Sequence, residues 1–249
     1  MNGARVLITG ASSGIGRALA VRMAQPGTAL GLVARRRERL EELREELAGR
    51  DARVYLYDAD VRDREAMQRV AEEFISAAGG VSVAIANAGV SYPDDLRRGD
   101  AEQAVELMAT NLLGAINTLL PVIPHMIEAR SGHLVAVGSV AGFRGLPGKG
   151  AYCASKSALK TLMDSYRPTL RPYGIRVTTI CPGFVESELT AGNRFPMPFI
   201  LSAERAAGLI VNALAKHRRT YTFPWQMRLL VPLIKAVPDR LLAPIVQRN

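Results

Sequence analysis

The chain is poor in the residues that build metal centres and disulfide frameworks. It has only 2 cysteines and 3 histidines in 249 residues. Cys153 and Cys181 cannot form a disulfide framework for a chain of this size. Neither has a partner at metal-ligand spacing, and His125, His133 and His217 stand alone, so a reducing, cytoplasmic setting and no metal are expected. No run of 18 apolar residues is present, so no membrane span is expected. The first apolar strand pattern begins at Arg5, which leaves no room for a signal peptide. Linkers, repeats and low-complexity tracts are missing too, which argues for one domain over residues 1–249.

What is present is ordinary globular composition. Hydrophobic residues make up 48% and charged residues 22%, which excludes disorder, collagen-like repeats and coiled coil. A net charge of +9 raises the question of a nucleic-acid partner. The 27 Arg and 5 Lys are spread along the whole chain, and no basic run is interleaved with aromatics, so no nucleic acid is expected. Charge does concentrate from Lys216 to Asn249, where seven Lys/Arg face one acid, Asp239.

Short apolar runs alternate with longer amphipathic segments. The pattern predicts strands at Val6–Ile8, Ala29–Ala34, Ala52–Tyr57, Val81–Ala86, His133–Val137, Arg176–Ile180 and Thr220–Phe223. Helices are predicted from the Gly-rich turn to about Gln25, and over 37–48, 64–78, 101–129 (broken near Pro121 and Pro124), 151–173 and 203–217. Strands separated by helices of this length need crossovers, hence parallel pairing with helices on both faces: a doubly wound α/β fold. Pro232, Pro238 and Pro244 forbid one continuous helix over the apolar, basic end, which reads as short turns over an edge of the domain.

After the first strand comes Thr9-Gly10-Ala11-Ser12-Ser13-Gly14-Ile15-Gly16. Glycines allow a sharp turn and close approach to a ligand, and the next helix aims free N–H groups and its positive dipole end at that turn. In a parallel sheet such a crevice is where a dinucleotide lies. An NAD-selective site ends its second strand in Asp or Glu, whereas an Arg accommodates a 2′-phosphate. Here the strand runs into Arg35-Arg36-Arg37, with no carboxylate at its end, so NADP(H) is expected in preference to NAD(H).

Tyr152 and Lys156 are four residues apart, on one face of a helix. An ammonium beside a phenol favours phenolate and makes the tyrosine a usable acid/base. The spacing alone means little, and in an arbitrary chain a surface Tyr–Lys pair is the better reading. Ser139 decides between them: it follows the fifth strand at the sheet edge where ligands bind, and Gly145, Pro147, Gly148 and Gly150 let the loop fold it back beside Tyr152.

Together, Thr9–Gly16, Asn87-Ala88-Gly89, Ser139 and Tyr152-x-x-x-Lys156 resemble the single-domain short-chain dehydrogenase/reductase family, over residues 4 to about 190. The resemblance implies a Rossmann-type sheet of about seven parallel strands and hydride transfer between a nicotinamide and a carbonyl or alcohol. It implies Tyr152 as general acid/base, Lys156 tuning it and holding the nicotinamide ribose, Ser139 orienting the substrate carbonyl, and Asn111 supporting a proton-relay water. Gly10, Ser12, Ser13, Gly14, Ile15 and Gly16 would take the pyrophosphate side. Arg35 and Arg36 would meet the 2′-phosphate, Asp60 and Val61 the adenine, and Asn87, Ala88 and Gly89 the cleft wall. Pro182, Gly183 and Val185, through Ser187, would cradle the nicotinamide. Ala86 stands where the family often has Asn, and Ser187 where it has Thr. The resemblance further implies a small-molecule substrate and a homodimer or homotetramer, with a 3-oxoacyl thioester reductase and a non-catalytic NADP(H)-sensing protein as alternatives.

The variable region, about 186–249, would hold substrate specificity. Phe195, Pro196, Met197, Pro198, Phe199, Trp225, Met227 and the 229–246 segment make it apolar. An apolar carbonyl substrate or hydrophobic lid is one reading; core or subunit packing is the other. The basic, apolar end also suits contact with an anionic membrane surface.

Overall fold

The computed structural model describes residues 3–238 other than 95, 98, 100 and 193–195. Seven strands form one sheet in the order β3-β2-β1-β4-β5-β6-β7. All pairings are parallel. The strands are β1 (Arg5–Thr9), β2 (Ala29–Ala34), β3 (Arg53–Asp58), β4 (Val83–Ala86), β5 (Gly132–Val137), β6 (Ile175–Pro182) and β7 (Thr220–Phe223). The helices are α1 (Gly14–Met23), α2 (Arg37–Leu47), α3 (Arg64–Ala78), α4 (Glu102–Met108), α5 (Gly114–Leu119), α6 (Ile123–Glu128), α7 (Gly150–Leu170), α8 (Glu188–Ala191), α9 (Ala203–Ala215) and α10 (Trp225–Ala236).

Alternation along the strands splits the core into two layers. Val6, Ile8, Leu30, Leu32 and Ile85 face α1, α2 and α9, packing on Leu19, Met23, Leu43, Ile210 and Leu214. Leu7, Val33, Ala84 and Leu134 face the other way, onto Met67 and Phe74 of α3, Leu119, and Leu159 and Met163 of α7. Both faces of the sheet are therefore covered, as its near-continuous apolar strands require. The order reverses between β1 and β4, and the crevice there opens at the C-terminal strand ends.

Three features differ from the sequence reading. The 102–128 stretch leaves α-helix near its prolines, but for one turn only. Pro121 lies in a 3₁₀ turn, Leu120–Val122, that continues into α6. The larger irregularity is a π turn, Ala109–Leu113, which carries Asn111. By length and composition this stretch could cross a membrane. Here Leu107, Ala115, Leu119, Val122 and Met126 are buried. Last, Pro232 lies inside a helix, α10, rather than ending one. A proline removes a single amide donor, and α7 likewise carries Pro168 in its interior. The segment beyond 238, with Asp239 and Pro244, lies outside the described residues.

Candidate active site

The turn after β1 is built by its glycines. Gly10 has φ 67° and Gly14 φ 50°, a left-handed conformation that costs glycine little. A Cβ at Gly16 would lie 2.1 Å from the Gly10 carbonyl oxygen, so the third glycine lets helix and turn touch. Asn87 ties the turn to β4, donating from Nδ2 to the carbonyls of Thr9 at 3.0 Å and Gly10 at 3.3 Å. Ser13 precedes α1 but makes no side-chain capping bond, and the first turn holds no acid. The first amide N–H groups of α1 therefore lack a capping side chain and sit where an anion is favoured.

These residues line one cleft of about 760 Å³. It contains Gly10, Ser12, Ser13, Gly14, Ile15, Arg35, Arg36, Asp60, Val61, Asn87, Ala88, Gly89, Ser139, Tyr152, Lys156, Pro182, Gly183 and Val185. Of the expected site residues only Gly16 and Asn111 are not on its wall. Gly16 lies beneath the turn, and Asn111 is buried behind Gly89.

At the adenosine end, β2 delivers Arg35 and Arg36 without a carboxylate of its own. Arg35 Nη1 lies 3.8 Å from Asp60 Oδ2. Asp60 is bound more closely by Arg62, at 2.6 Å, and those hydrogen bonds outweigh burial to hold its carboxyl below the usual range. Val61 packs against Gly114, where a Cβ would approach within 2.5 Å.

At the other end, α7 and the turn after β5 bring the chemistry together. Ser139 caps the 3₁₀ turn Val140–Phe143, accepting from the Ala141 amide at 3.1 Å. Its hydroxyl also hydrogen-bonds the Tyr152 phenol. Lys156 is buried and donates to the Val137 carbonyl at 2.9 Å, with Nζ 5.9 Å from the Tyr152 ring centroid. Asn111 accepts from the Val90 amide at 2.8 Å and donates to the Val90 carbonyl at 3.0 Å and to Ser155 Oγ at 3.2 Å. It thereby joins the β4 loop to the helix carrying Tyr152.

Burial dominates the electrostatics of the Tyr152–Lys156 pair. Burial pushes the Tyr152 phenol up, with the Ser139 hydrogen bond opposing. Burial also pushes the Lys156 ammonium down, to about 8. Enclosure disfavours both charged forms, and the ammonium is committed to the Val137 carbonyl.

Several residues on or near the cleft carried no signal in the sequence. Lys149 donates to Ser91 Oγ at 3.2 Å, closing the cleft from α7 to the β4 loop. Asp94 accepts from the Gly150 and Ala151 amides and so caps α7 from 56 residues away. Glu188, on α8, pairs with Arg36 across the cleft. These are long-range pairings that local periodicity does not encode. The apolar residues singled out in the variable region divide differently. Phe199 and Trp225 are exposed, whereas Met227 is buried, packed near Gly183. None of the three is on the cleft wall, whose apolar residues include Val140, Leu146, Phe184 and Leu189. Phe195 lies outside the described residues.

The sequence profile of the short chain dehydrogenase family matches residues 4–196. The chain belongs to this family. An oxidoreductase of Myxococcus xanthus (strain DK1622), described as uncharacterized, is 41% identical over 235 residues, covering 94% of this chain and 93% of that one. A short-chain dehydrogenase/reductase from Burkholderia phymatum in complex with NAD superposes with TM-score 0.84 at 25% identity, covering 100% and 96% of the two chains. An alcohol dehydrogenase from Thermococcus sibiricus complexed with 5-hydroxy-NADP gives 0.79 at 28% identity, covering 88% and 95%. This short-chain dehydrogenase is thus an oxidoreductase with a nucleotide-binding Rossmann sheet. Its structural relatives hold both NAD and NADP derivatives. Among the described residues no group of three or more His, Cys, Asp or Glu is placed to hold a metal.

Proposed function

We propose that this protein is an NADP(H)-dependent carbonyl reductase or alcohol dehydrogenase with Tyr152 as general acid/base. The observation that carries it is the single cleft joining Arg35 and Arg36, the α1 N-terminus and the Ser139–Tyr152–Lys156 group. The residues fit a dinucleotide. α1 offers amides without a capping side chain, Gly10 and Gly14 keep the turn close, and two guanidiniums stand where a 2′-phosphate needs planar donors. When bound, the nicotinamide supplies or accepts the hydride.

The chain's own residues handle the proton. Ser139 holds the carbonyl oxygen beside the phenol, and Tyr152 gives that oxygen its proton in reduction and takes one back in oxidation. Burial keeps the phenol protonated, which suits a donor. Once the proton has left, Lys156 faces a phenolate and stabilises it. Asn111 holds the Val90 loop and Ser155 in register with Tyr152. Val140, Leu146, Phe184 and Leu189 support an apolar substrate body. Val105, Leu113 and Leu120, exposed on the 102–128 stretch, support a homodimer or homotetramer. Cys153 and Cys181, free and buried, support a reducing, cytoplasmic setting.

The test is equilibrium binding of NADPH and NADH to the wild type and to the Arg35→Ala/Arg36→Ala double variant. Charge-assisted hydrogen bonds contribute about 1.5–3 kcal/mol each, so NADPH should weaken at least about tenfold more than NADH. Equal losses for both cofactors would overturn the NADP(H) reading.

A further inference from the structure

Arg36 is already engaged. Its Nη1 donates to Glu188 Oε1 at 3.1 Å and its Nη2 to Glu188 Oε2 at 2.9 Å, a fork-to-fork pair. Nη2 also donates to Ser12 Oγ at 3.2 Å. The Glu188 carboxylate in turn hydrogen-bonds the Ser13 side chain. An internal anion therefore sits among Ser12, Ser13 and Arg36, the donors that face the adenosine side of the cleft. It comes from 152 residues away, on α8 beyond β6, at the opposite wall. We propose that Glu188 sets cofactor selectivity by holding Arg36 until a 2′-phosphate displaces it. This rests on the NADP(H) reading above.

The exchange is physically reasonable on charge and exposure. The Arg36 and Glu188 side chains are 40% and 61% exposed, so solvent screens the pair and it is weakly held. A phosphate monoester carries about −1.5 to −2 charge and three acceptor oxygens at neutral pH, so it outcompetes one carboxylate for a guanidinium. Glu188 already occupies the Nη1/Nη2 fork, so a 2′-phosphate that takes that fork must displace it, and the two anions repel. A cofactor lacking the 2′-phosphate leaves the pair intact. Glu188 thus works against NADPH in particular, and it ties the start of α8, whose Leu189 and Thr190 line the same cleft, to the adenosine site. Among the described residues Arg35 has a looser pairing: Asp60 is 3.8 Å away and held by Arg62.

The experiment is calorimetric titration of NADPH, NADH, adenosine 2′,5′-bisphosphate and AMP into the wild type, Glu188→Gln, Arg36→Gln, Arg35→Gln and the Glu188→Gln/Arg36→Gln double variant. Removing an exposed competing charge should tighten NADPH and the bisphosphate by about 3- to 10-fold and shift NADH and AMP by less than about 2-fold. The gain should vanish in the Arg36→Gln background, as two residues acting through one contact require. Unchanged NADPH binding in Glu188→Gln overturns the proposal. So does weaker binding, which would make Glu188 a clasp over bound cofactor. If neither arginine variant alters the NADPH:NADH ratio, the NADP(H) reading itself falls. If an arginine variant alters it while Glu188→Gln does not, only the role of Glu188 falls.

Discussion

Replacing His133 with Gln isolates one buried imidazole whose effect on stability has a definite sign. His133 sits in β5, 6% exposed. Its Nε2 lies 2.8 Å from Thr178 Oγ1. Thr178 spends its own proton on the Arg218 carbonyl at 2.6 Å. The threonine can therefore only accept from the ring, so His133 is the neutral tautomer with its proton on Nε2. Burial first, then Arg176 and His217, push the imidazole down from 6.5 to about 4. The unfolded chain titrates near 6.5, so between pH 6.5 and 4 it binds the proton and the folded chain does not. Stability is unaffected above pH 6.5, falls as pH drops through that window, and the loss is complete below about 4. One pKa unit corresponds to about 1.4 kcal/mol, so the loss approaches about 3 kcal/mol. Gln at 133 keeps an N–H donor for Thr178 and does not titrate. Urea unfolding of both proteins at fixed concentration, from pH 7.5 to 4, reads the difference directly. The wild type should lose about 3 kcal/mol more than His133→Gln over that range. A difference that stays flat with pH would refute the buried neutral imidazole.

Other substitutions test the scaffold. Gly16→Ala places a methyl 2.1 Å from the Gly10 carbonyl and 2.6 Å from Asn87 Nδ2, so the turn must open. NADPH affinity should fall at least about tenfold by fluorescence titration while the far-ultraviolet circular dichroism stays native-like; intact affinity would contradict the role of the turn. Asp94→Ala uncaps α7, and a helix cap is worth about 1 kcal/mol, so the denaturation midpoint should drop accordingly. Asp94→Asn, which keeps an acceptor, should recover most of it, and equal losses in both variants would show that the cap is not what Asp94 supplies.

The contrast between legible and hidden features follows from range. β2 at Ala29–Ala34, α3 at Arg64–Ala78 and β7 at Thr220–Phe223 match the sequence reading residue for residue, because apolar runs and turn residues mark both ends. The cleft was legible because its parts are local signals: a Gly-rich turn, a strand running into Arg35 and Arg36, and a Tyr–Lys pair one helical turn apart. The π turn around Asn111 was not, since its cause is tertiary: the Asn111 amide reaches back 21 residues to Val90. Pro232 misled for a related reason. α10 survives it by packing on β7 and burying Met227, which a local rule about proline does not count. Glu188 on Arg36 and Asp94 on α7 are invisible to any periodicity, being set by which strand ends the sheet order makes neighbours.

The most direct test of the account is Tyr152→Phe. The phenol hydroxyl is the only group it removes, and the ring remains packed beside Lys156 and Ser139. The wild type should oxidise NADPH in the presence of an apolar aldehyde or ketone. The variant should bind NADPH within about 3-fold of the wild type and lose turnover by at least about 100-fold, the contribution of a positioned proton donor. Undiminished turnover in Tyr152→Phe would contradict the assignment of Tyr152 as the acid/base and with it the chemistry of the cleft.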